Sequence, residues 1–463
     1  MSETRDVIVV GAGLAGWSAA LSAAEEGADV VLLEKQAESG GSTILSGGFF
    51  SFAGTDMQMA LGLEDTPAKL ERDLIAVGEG KNDPDLVSAF AHGQLGLYDW
   101  MVQRGAIFTD IELSSGQSVA RSHRADPSQV IASFREVASR QLYPLTCRFD
   151  CAVSNVTVGE DGSASGVITA DGKHISARGG VILTSGGFSR SEQLLKRFAP
   201  RQAAALRIGG AGNVGDGLRM AMDIGAGSRD FEFIKGTFGT HPSTQPDQHE
   251  ILLAFYLGAL IVNTAGERFV DESISYKLLG DACLDQPDAR AFQVFDSAVY
   301  AASKPGVPLF DFQPMLDRGL LIRDDTLDGL ATKVGMDADA LVASLTAYND
   351  SLSQVGYDRA FGRRHLCFTS GDLVPIAKPP FYAFPSTTAL LATYCGLTVS
   401  SDTEVINMGH KPIRGLYAAG EIVGGFHGAA YMTGSSLAKA AFFGRRAGAL
   451  AAFQSKFVGR SAT

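Results

Sequence analysis

An α/β fold with a Rossmann-like dinucleotide cradle follows from three features of the sequence. Residues 6–35 alternate strand, helix and strand. Glycine is in excess, at 54 residues, and clusters at 11–16, 40–48, 186–187, 208–217 and 420–434 beside apolar runs. Between about 229 and 378 that pattern thins out and charged helical stretches replace it. A chain of 463 residues is long enough for two or three lobes, so the second region reads as a separate domain inserted into the first.

The cradle is "DVIVVGAGLAGWSAALSAAEEGADVVLLEK" (6–35). "VIVV" is a continuous apolar strand of the kind buried in a parallel sheet. Gly11, Gly13 and Gly16 form G-x-G-x-x-G at its end. The first allows the tight turn, the second lets a pyrophosphate approach the backbone, and the third lets helix and strand pack closely. "WSAALSAAEEG" is an alanine-rich helix ending at Gly27, and "DVVLLE" is the second strand. The helix N-terminus offers N–H groups and a positive dipole end to phosphates. Ala12 and Lys35, at the two strand ends, are further candidate cofactor contacts, and Glu34 is placed to accept hydrogen bonds from a ribose hydroxyl.

Further along, "SGGSTILSGGFFS" (39–51), "GGVILTSGGFS" (179–189) and "GLYAAGEIVGGFHGAAYMTGSSLAKAAFFGRRAG" (415–448) repeat the strand-into-glycine-turn pattern. The last would point a helix N-terminus at an electron-rich group such as a reduced flavin. "MDADALVASLTAYNDSLSQVG" (336–356) has helical periodicity, and "LVPIAKPPFYAF" (373–384) reads as an extended return hinge. "ILLAFYLGALIV" (251–262) reads as a buried strand or two and is too short to span a bilayer.

Composition excludes several classes. The net charge is −12 and no stretch concentrates Lys and Arg, so nucleic acid and anionic membranes are poor partners. No signal peptide or transmembrane segment is evident, and the expected location is cytoplasmic. The five cysteines include no C-x-x-C pair, so free thiols are expected and no metal site. Cys147 and Cys151 have a spacing that could share a helix face. The absence of C-x-x-C-H argues against a fused heme domain.

Taken together, these motifs resemble, over essentially the whole chain, the flavoprotein subunits of the fumarate reductase and succinate dehydrogenase superfamily. "GNVGDGLRMAMDIGA" (212–226) and "GALIVNTAGERFVDE" (258–272) extend the likeness. The resemblance implies a Rossmann-like FAD-binding domain interrupted by an α+β capping domain, with the active site between them. Expected boundaries are 1–228 and 379–463 for the FAD domain and 229–378 for the cap. It implies FAD contacts at Gly41, Ser42, Thr43, Gly47, Gly48, Val153, Ser185, Gly186, Asp216, Glu421, Ser436 and Leu437. Some members attach FAD through a histidine at the place held here by Gly41, so non-covalent FAD is expected.

Carried over position by position, the substrate site departs from fumarate reductases. The proton-donating arginine falls on Tyr276 and a carboxylate-binding arginine on Tyr431. A Thr-Glu pair falls near Ile251 and Leu252, and a histidine near Leu391 or Ala392. Only His241 keeps a polar contact. A dicarboxylate without cationic partners would cost several kcal/mol per unpaired ion. The pattern "NTAGERFVDESISY" with "AAYMTGSS" is similar to the 3-ketosteroid dehydrogenases, nearest the branch desaturating the 4,5 position, although Thr433 stands for a serine.

Removing hydrogens α and β to a ketone needs a carbonyl donor, a base for the α-proton and a hydride acceptor. A phenol can act as base where an arginine cannot. Tyr276 is the candidate base, and Tyr431, helped by a backbone N–H near Ser435, the candidate carbonyl donor; the two roles are exchangeable at this level. Thr433 is a candidate link to a proton path. The expected substrate is a small apolar ketone, a 3-ketosteroid or another alicyclic ketone, with a separate electron acceptor. An enone or enoate reductase on a non-dicarboxylate, and a flavin-binding protein without catalysis, are the alternatives. Structural roles compete for His241 and His427. Tyr98, Tyr143, Tyr256 and Tyr394 are candidate pocket walls or packing residues, Trp17 and Trp100 are packing, and "RSHRADP" (121–127) reads as a solvated loop at the pocket mouth.

Overall fold

The computed structural model describes residues 3–140, 143–246, 248–307, 309–367 and 370–458. The chain divides into two compact units. One comprises Met1–Ala199, Gly209–Ile234 and Ala392–Thr463, and the other Pro200–Ile208 and Lys235–Leu391.

The first unit is built on an eight-stranded mixed sheet. Strand Glu3–Val10 runs parallel to Val30–Leu33 on one side and to His174–Leu183 on the other. Leu145–Arg148 and Pro412–Ala418 extend this parallel core at its two ends. Val7 to Val10 and Val30 to Leu33 are buried, which is why these strands read as unbroken apolar runs. Two of the glycines are dictated by backbone approach. A Cβ on Gly11 (φ +106°) would lie 2.7 Å from Thr184 O, and one on Gly16 would lie 1.8 Å from Gly11 O.

The helix Leu14–Glu25 packs against the C-terminal helix Ser435–Val458. Here too small residues set the distance. A Cβ on Gly444 would be 2.3 Å from Ala15 O, and one on Gly448 would be 2.1 Å from Ala19 O. The pairing 15 with 444 and 19 with 448 means that the helices run parallel. It also means that the C-terminal helix starts about eight residues, or roughly 12 Å, ahead of its partner along their common direction.

The second unit has a six-stranded sheet centred on Phe381–Leu390. That strand pairs antiparallel with Arg290–Asp296, Thr237–Thr240 and Ile322–Asp324. Helices Leu327–Val334 and Ala338–Val355 cover one face, where Leu330, Leu341, Leu345 and Tyr348 meet Leu260, Val262, Val294 and Ala383. The latter helix is the one expected from periodicity. The run 251–262 contains one strand, Leu260–Asn263, preceded by a 3-10 turn at Ala254–Leu257. Gly258 at φ +126° separates them, so the run does not form two strands.

Two expectations are corrected. Cys147 lies on strand Leu145–Arg148 and Cys151 beyond its end, so they share no helix face. All five cysteines are free, and among the described residues no cluster of His, Cys, Asp or Glu could hold a metal. Residues 121–127 are not a solvated loop. Ser122–Arg124 is a strand, and Arg121 and His123 are fully buried. Asp65 accepts two bonds from Arg121, each 2.9 Å, and Asp73 a third of 2.6 Å. Two carboxylates satisfying one guanidinium make its burial tolerable. No described helix is long and apolar enough to cross a membrane.

The helix pair yields a prediction. Gly448→Val places a methyl-bearing carbon inside the backbone of helix 14–25 and is expected to cost about 1–3 kcal/mol or more. Gly96→Ala, within helix Pro84–Gln103 with nothing near its added Cβ, is expected to gain about 1 kcal/mol. Chemical-denaturation midpoints of the two variants check the contrast.

Candidate active site

The cofactor cleft of the first unit grows from the glycine turn at 11–16. Helix Leu14–Glu25 begins at Gly13 with no side-chain cap. Ala12 N–H donates to Glu34 Oε2 at 2.7 Å, and Leu14 N–H to Thr43 Oγ1 at 3.1 Å. Glu34 Oε1 accepts from Gln36 N–H at 2.9 Å, so the carboxylate is held against the turn. The Lys35 ammonium pairs with Asp216, which opens helix Asp216–Asp223 and also pairs with Arg219. Val153 begins a strand whose approach is tied to the cradle by Cys151 N–H donating to Glu34 O.

Ser42 Oγ accepts from Gly210 N–H at 3.0 Å and from Asn213 Nδ2 at 3.1 Å. Asn213 also donates to Glu421 Oε2 at 2.8 Å, and Thr393 N–H donates to Glu421 Oε1 at 2.9 Å. Burial raises the Glu421 pKa, opposed by Thr393 and Asn213. Ser42, Asn213 and Glu421 therefore form one hydrogen-bonded chain; neither Asn213 nor Thr393 carried a sequence signal of its own. Gly47 and Gly48 lead into strand Phe49–Ser51, and a Cβ on Gly48 would lie 2.1 Å from Ala125 O.

The cleft has features of a dinucleotide site. A Cβ on Gly13 would meet nothing closer than Thr43 Oγ1 at 3.6 Å, and one on Gly41 (φ +51°) nothing within 4 Å. These are open notches beside backbone N–H groups. Ser185 Oγ, beside Gly186, is buried without a hydrogen-bond partner. The uncapped helix start and the orphaned hydroxyl fit a phosphate-bearing cofactor, and Gly41 has no side chain with which to bond it covalently.

The turn before the C-terminal helix carries Tyr431, Thr433 and Ser435. Tyr431 Oη accepts from Gly434 N–H at 3.1 Å. Burial pushes its pKa up to about 12, against the backbone N–H groups of Gly434 and Ser436 and the Tyr394 hydroxyl, which favour the phenolate. Tyr431 is thus a neutral phenol whose oxygen rests on a helix N-terminus. Ser435, Ser436 and Leu437 form the first turn of that helix. Ser435 Oγ donates to Met432 O at 2.7 Å and lies 3.5 Å from His427 Nδ1. Thr433 N–H donates to Ser115 O at 3.0 Å, and Gln117 Nε2 donates to Thr433 O at 2.9 Å. Sequence reasoning missed Gln117, which lies more than 300 residues away in the chain.

Lys439, one turn into the helix, is buried at 1% exposure and donates to Val423 O at 3.0 Å. Burial lowers its pKa to about 8, opposed by Glu421 and Asp230. Asp230 accepts from Gly425 N–H, and Arg229 bonds Asp83, which pins the glycine turn. Tyr98 is a packing residue. It packs with Phe52, Phe108 and His123 and donates to Asp56 at 2.8 Å. Trp17 and Trp100 are buried as expected.

In the second unit, Tyr276 is the first residue of helix Tyr276–Leu284 and is 8% exposed. Its N–H donates to Tyr256 Oη at 3.1 Å, and Tyr256 Oη donates to Ile274 O at 2.9 Å, so Tyr256 brackets the segment. Lys277, also unforeseen, is buried with its ammonium 5.9 Å from the Tyr276 ring centre and 2.7 Å from Thr237 Oγ1. Four residues upstream, the fully buried Glu272 accepts from Arg268, Arg363 and Ile261 N–H. His241 Nδ1 accepts from Ser243 N–H at 3.2 Å, which leaves the proton on Nε2. Burial lowers its pKa, so the ring is a neutral donor. Ile251 and Leu252 are buried apolar side chains.

These two sets of residues can be compared with known proteins. The chain belongs to the FAD binding domain family. The match covers residues 6–437. This is the family of the fumarate reductase and succinate dehydrogenase flavoproteins, so FAD is the cofactor and the chain is an oxidoreductase acting on CH–CH groups. A probable fumarate reductase of Shewanella frigidimarina is 32% identical over 96% of this chain and 74% of its own. The open conformation of a flavocytochrome c3 fumarate reductase superposes with TM-score 0.83 at 30% identity, covering 98% of this chain and 79% of that one. The 3-ketosteroid-Δ4-(5α)-dehydrogenase of Rhodococcus jostii, in complex with 4-androstene-3,17-dione, superposes with TM-score 0.76 at 25% identity, covering 97% of both chains.

Lys439 generates a pH prediction. Its pKa is about 8 when folded and 10.5 ordinarily, so between these values the unfolded chain binds the extra proton. The penalty of the buried charge is present below pH 8 and is relieved as pH rises towards 10.5. The urea midpoint of the wild type, measured against Lys439→Met, is expected to rise between pH 7 and 10; a constant difference would contradict it.

Proposed function

We propose that this flavoenzyme introduces a C=C bond α,β to the ketone of a 3-ketosteroid or another alicyclic ketone. The observation that carries the reading is Tyr431. At the position that the family resemblance assigns to a carboxylate-binding arginine stands a neutral phenol whose oxygen accepts from Gly434 N–H at a helix N-terminus. A neutral donor suits a carbonyl. When a ketone oxygen gains negative charge, the Tyr431 O–H donates to it, and the Gly434 bond and helix dipole stabilise the charge passed to the phenol.

Tyr276 is the base for the α-proton. It opens a helix, and the Lys277 Nζ lies 5.9 Å from its ring centre. Bound FAD supplies the two-electron sink that receives the β-hydrogen as hydride. His241, a neutral Nε2–H donor, suits a second uncharged polar group of the substrate. Buried Ile251 and Leu252 favour an apolar body over a dicarboxylate. The similarity to the Rhodococcus jostii dehydrogenase supports the ketosteroid class. A cytoplasmic location and a separate electron acceptor belong to the same proposal.

A second reading is the reverse reaction, in which Tyr276 delivers the proton to an enone. The similarity to a probable fumarate reductase favours that direction. The test is anaerobic. The oxidised flavin band near 450 nm, a property of the cofactor, is expected to bleach with 5α-androstane-3,17-dione or a cyclohexanone and to persist with succinate. Tyr276→Phe is expected to slow bleaching by about 10²–10⁴-fold. Bleaching by succinate overturns the proposal. Reoxidation of photoreduced enzyme by an enone, without bleaching by any saturated ketone, selects the reductase.

A further inference from the structure

The backbone and the ring of Tyr431 are held by different parts of the first unit. The backbone is fixed by Ser51 N–H donating to Gly434 O, Thr433 N–H donating to Ser115 O, and Gln117 Nε2 donating to Thr433 O, at 2.9 to 3.0 Å. Gly434 itself is close against this support, since a Cβ there would lie 3.0 Å from Ser51 N. The ring is held by Tyr394. The two phenol rings are stacked, with centres 4.8 Å apart and planes within 10°. His427 meets both rings edge-on, at 4.8 Å from Tyr394 and 5.4 Å from Tyr431. The Tyr394 hydroxyl also bonds the Tyr431 hydroxyl.

Tyr394 occupies this place at a cost. Its φ is +53°, in the left-handed region that disfavours a bulky side chain. Glycine would adopt that backbone without strain. A tyrosine at such a site, half-buried and stacked on another phenol, has a side chain whose contact outweighs the local strain.

We propose that Tyr394 is a positioning residue that fixes the direction of the Tyr431 hydroxyl. It does so with two separable parts. The ring prevents Tyr431 from rotating about its χ1 and χ2 bonds, and the hydroxyl orients the Tyr431 O–H. The inference rests on the reading of Tyr431 as the donor to a substrate carbonyl. Because the backbone of the turn is held independently, removal of Tyr394 acts on the ring of Tyr431 and leaves its Cα in place.

The test compares Tyr394→Phe, which keeps the stack, with Tyr394→Gly, which removes it while relieving the backbone. The FAD-loaded enzyme is mixed anaerobically with 5α-androstane-3,17-dione, and the bleaching rate is followed in a single turnover. Tyr394→Phe is expected to lower the rate about fivefold, the worth of one hydrogen bond. Tyr394→Gly is expected to lower it about 100-fold, the effect of a small misplacement. Binding of 4-androstene-3,17-dione, read from the flavin spectrum, is expected to stay within about threefold.

A second readout needs no substrate. In enzyme carrying 13C in its tyrosine rings, the Tyr431 signal, assigned by its loss in Tyr431→Phe, is expected to be unaveraged in the wild type and in Tyr394→Phe. It is expected to be averaged by ring motion in Tyr394→Gly. Unchanged rates with an unchanged Tyr431 signal in Tyr394→Gly overturn the inference. If the wild type does not bleach with any ketone, the proposed function fails and the ring signals alone decide the positioning role. If Tyr394→Gly does not fold, the rate of Tyr394→Phe decides it, and no loss there is the overturning result.

Discussion

The first unit depends on how closely two parallel helices approach. Gly444 and Gly448 let the C-terminal helix rest on the backbone of helix Leu14–Glu25 at Ala15 and Ala19. No side chain separates them, so their relative position is set by main-chain contact and has little freedom to adjust. Two helix N-termini then point the same way, one roughly 12 Å ahead of the other. The rear one begins at Gly13, beside the dinucleotide turn, and the forward one carries Tyr431 on its first N–H groups. The same packing therefore sets the distance between the phosphate cradle and the candidate carbonyl donor. The glycine-to-carbonyl contacts are also why the alanine-rich composition of both helices matters: small side chains are what bring the two dipoles into one unit.

Around that frame, buried charge is used to stiffen turns. Asp230, Arg229 and Asp83 fasten the glycine turn at 424–428, and Asp65 and Asp73 enclose Arg121 beneath the segment that supports Thr433. In the second unit Glu272 gathers Arg268 and Arg363 just ahead of Tyr276. Such pairs add little net stability relative to apolar packing, but removal of one partner is costly, which makes them effective at holding a single geometry. Each cluster adjoins a segment that bears a candidate functional tyrosine.

Sequence reading succeeded where the signal was local. The strand–turn–helix–strand of the cradle and the helix at 338–355 lie in short motifs whose spacing has a physical meaning. It failed at 121–127 because three charged residues and a histidine in seven positions look solvated unless their partners are known. Asp65 and Asp73 are more than 45 residues away in the chain. It failed at Cys147 and Cys151 because a spacing of four implies a shared face only on a helix, and Cys147 lies on a strand.

The sequence by itself determined the dinucleotide-binding fold and the cofactor family, since each is written in contiguous residues with their own backbone demands. Tertiary structure alone decided which groups surround Tyr431 and Tyr276. Gly434 and Tyr394 bear on one phenol, and Tyr256 and Lys277 on the other. Proton affinity depends on desolvation and on neighbours within a few ångströms, and in this chain two of those neighbours, Tyr394 and Tyr256, come from outside the segments that carry the tyrosines.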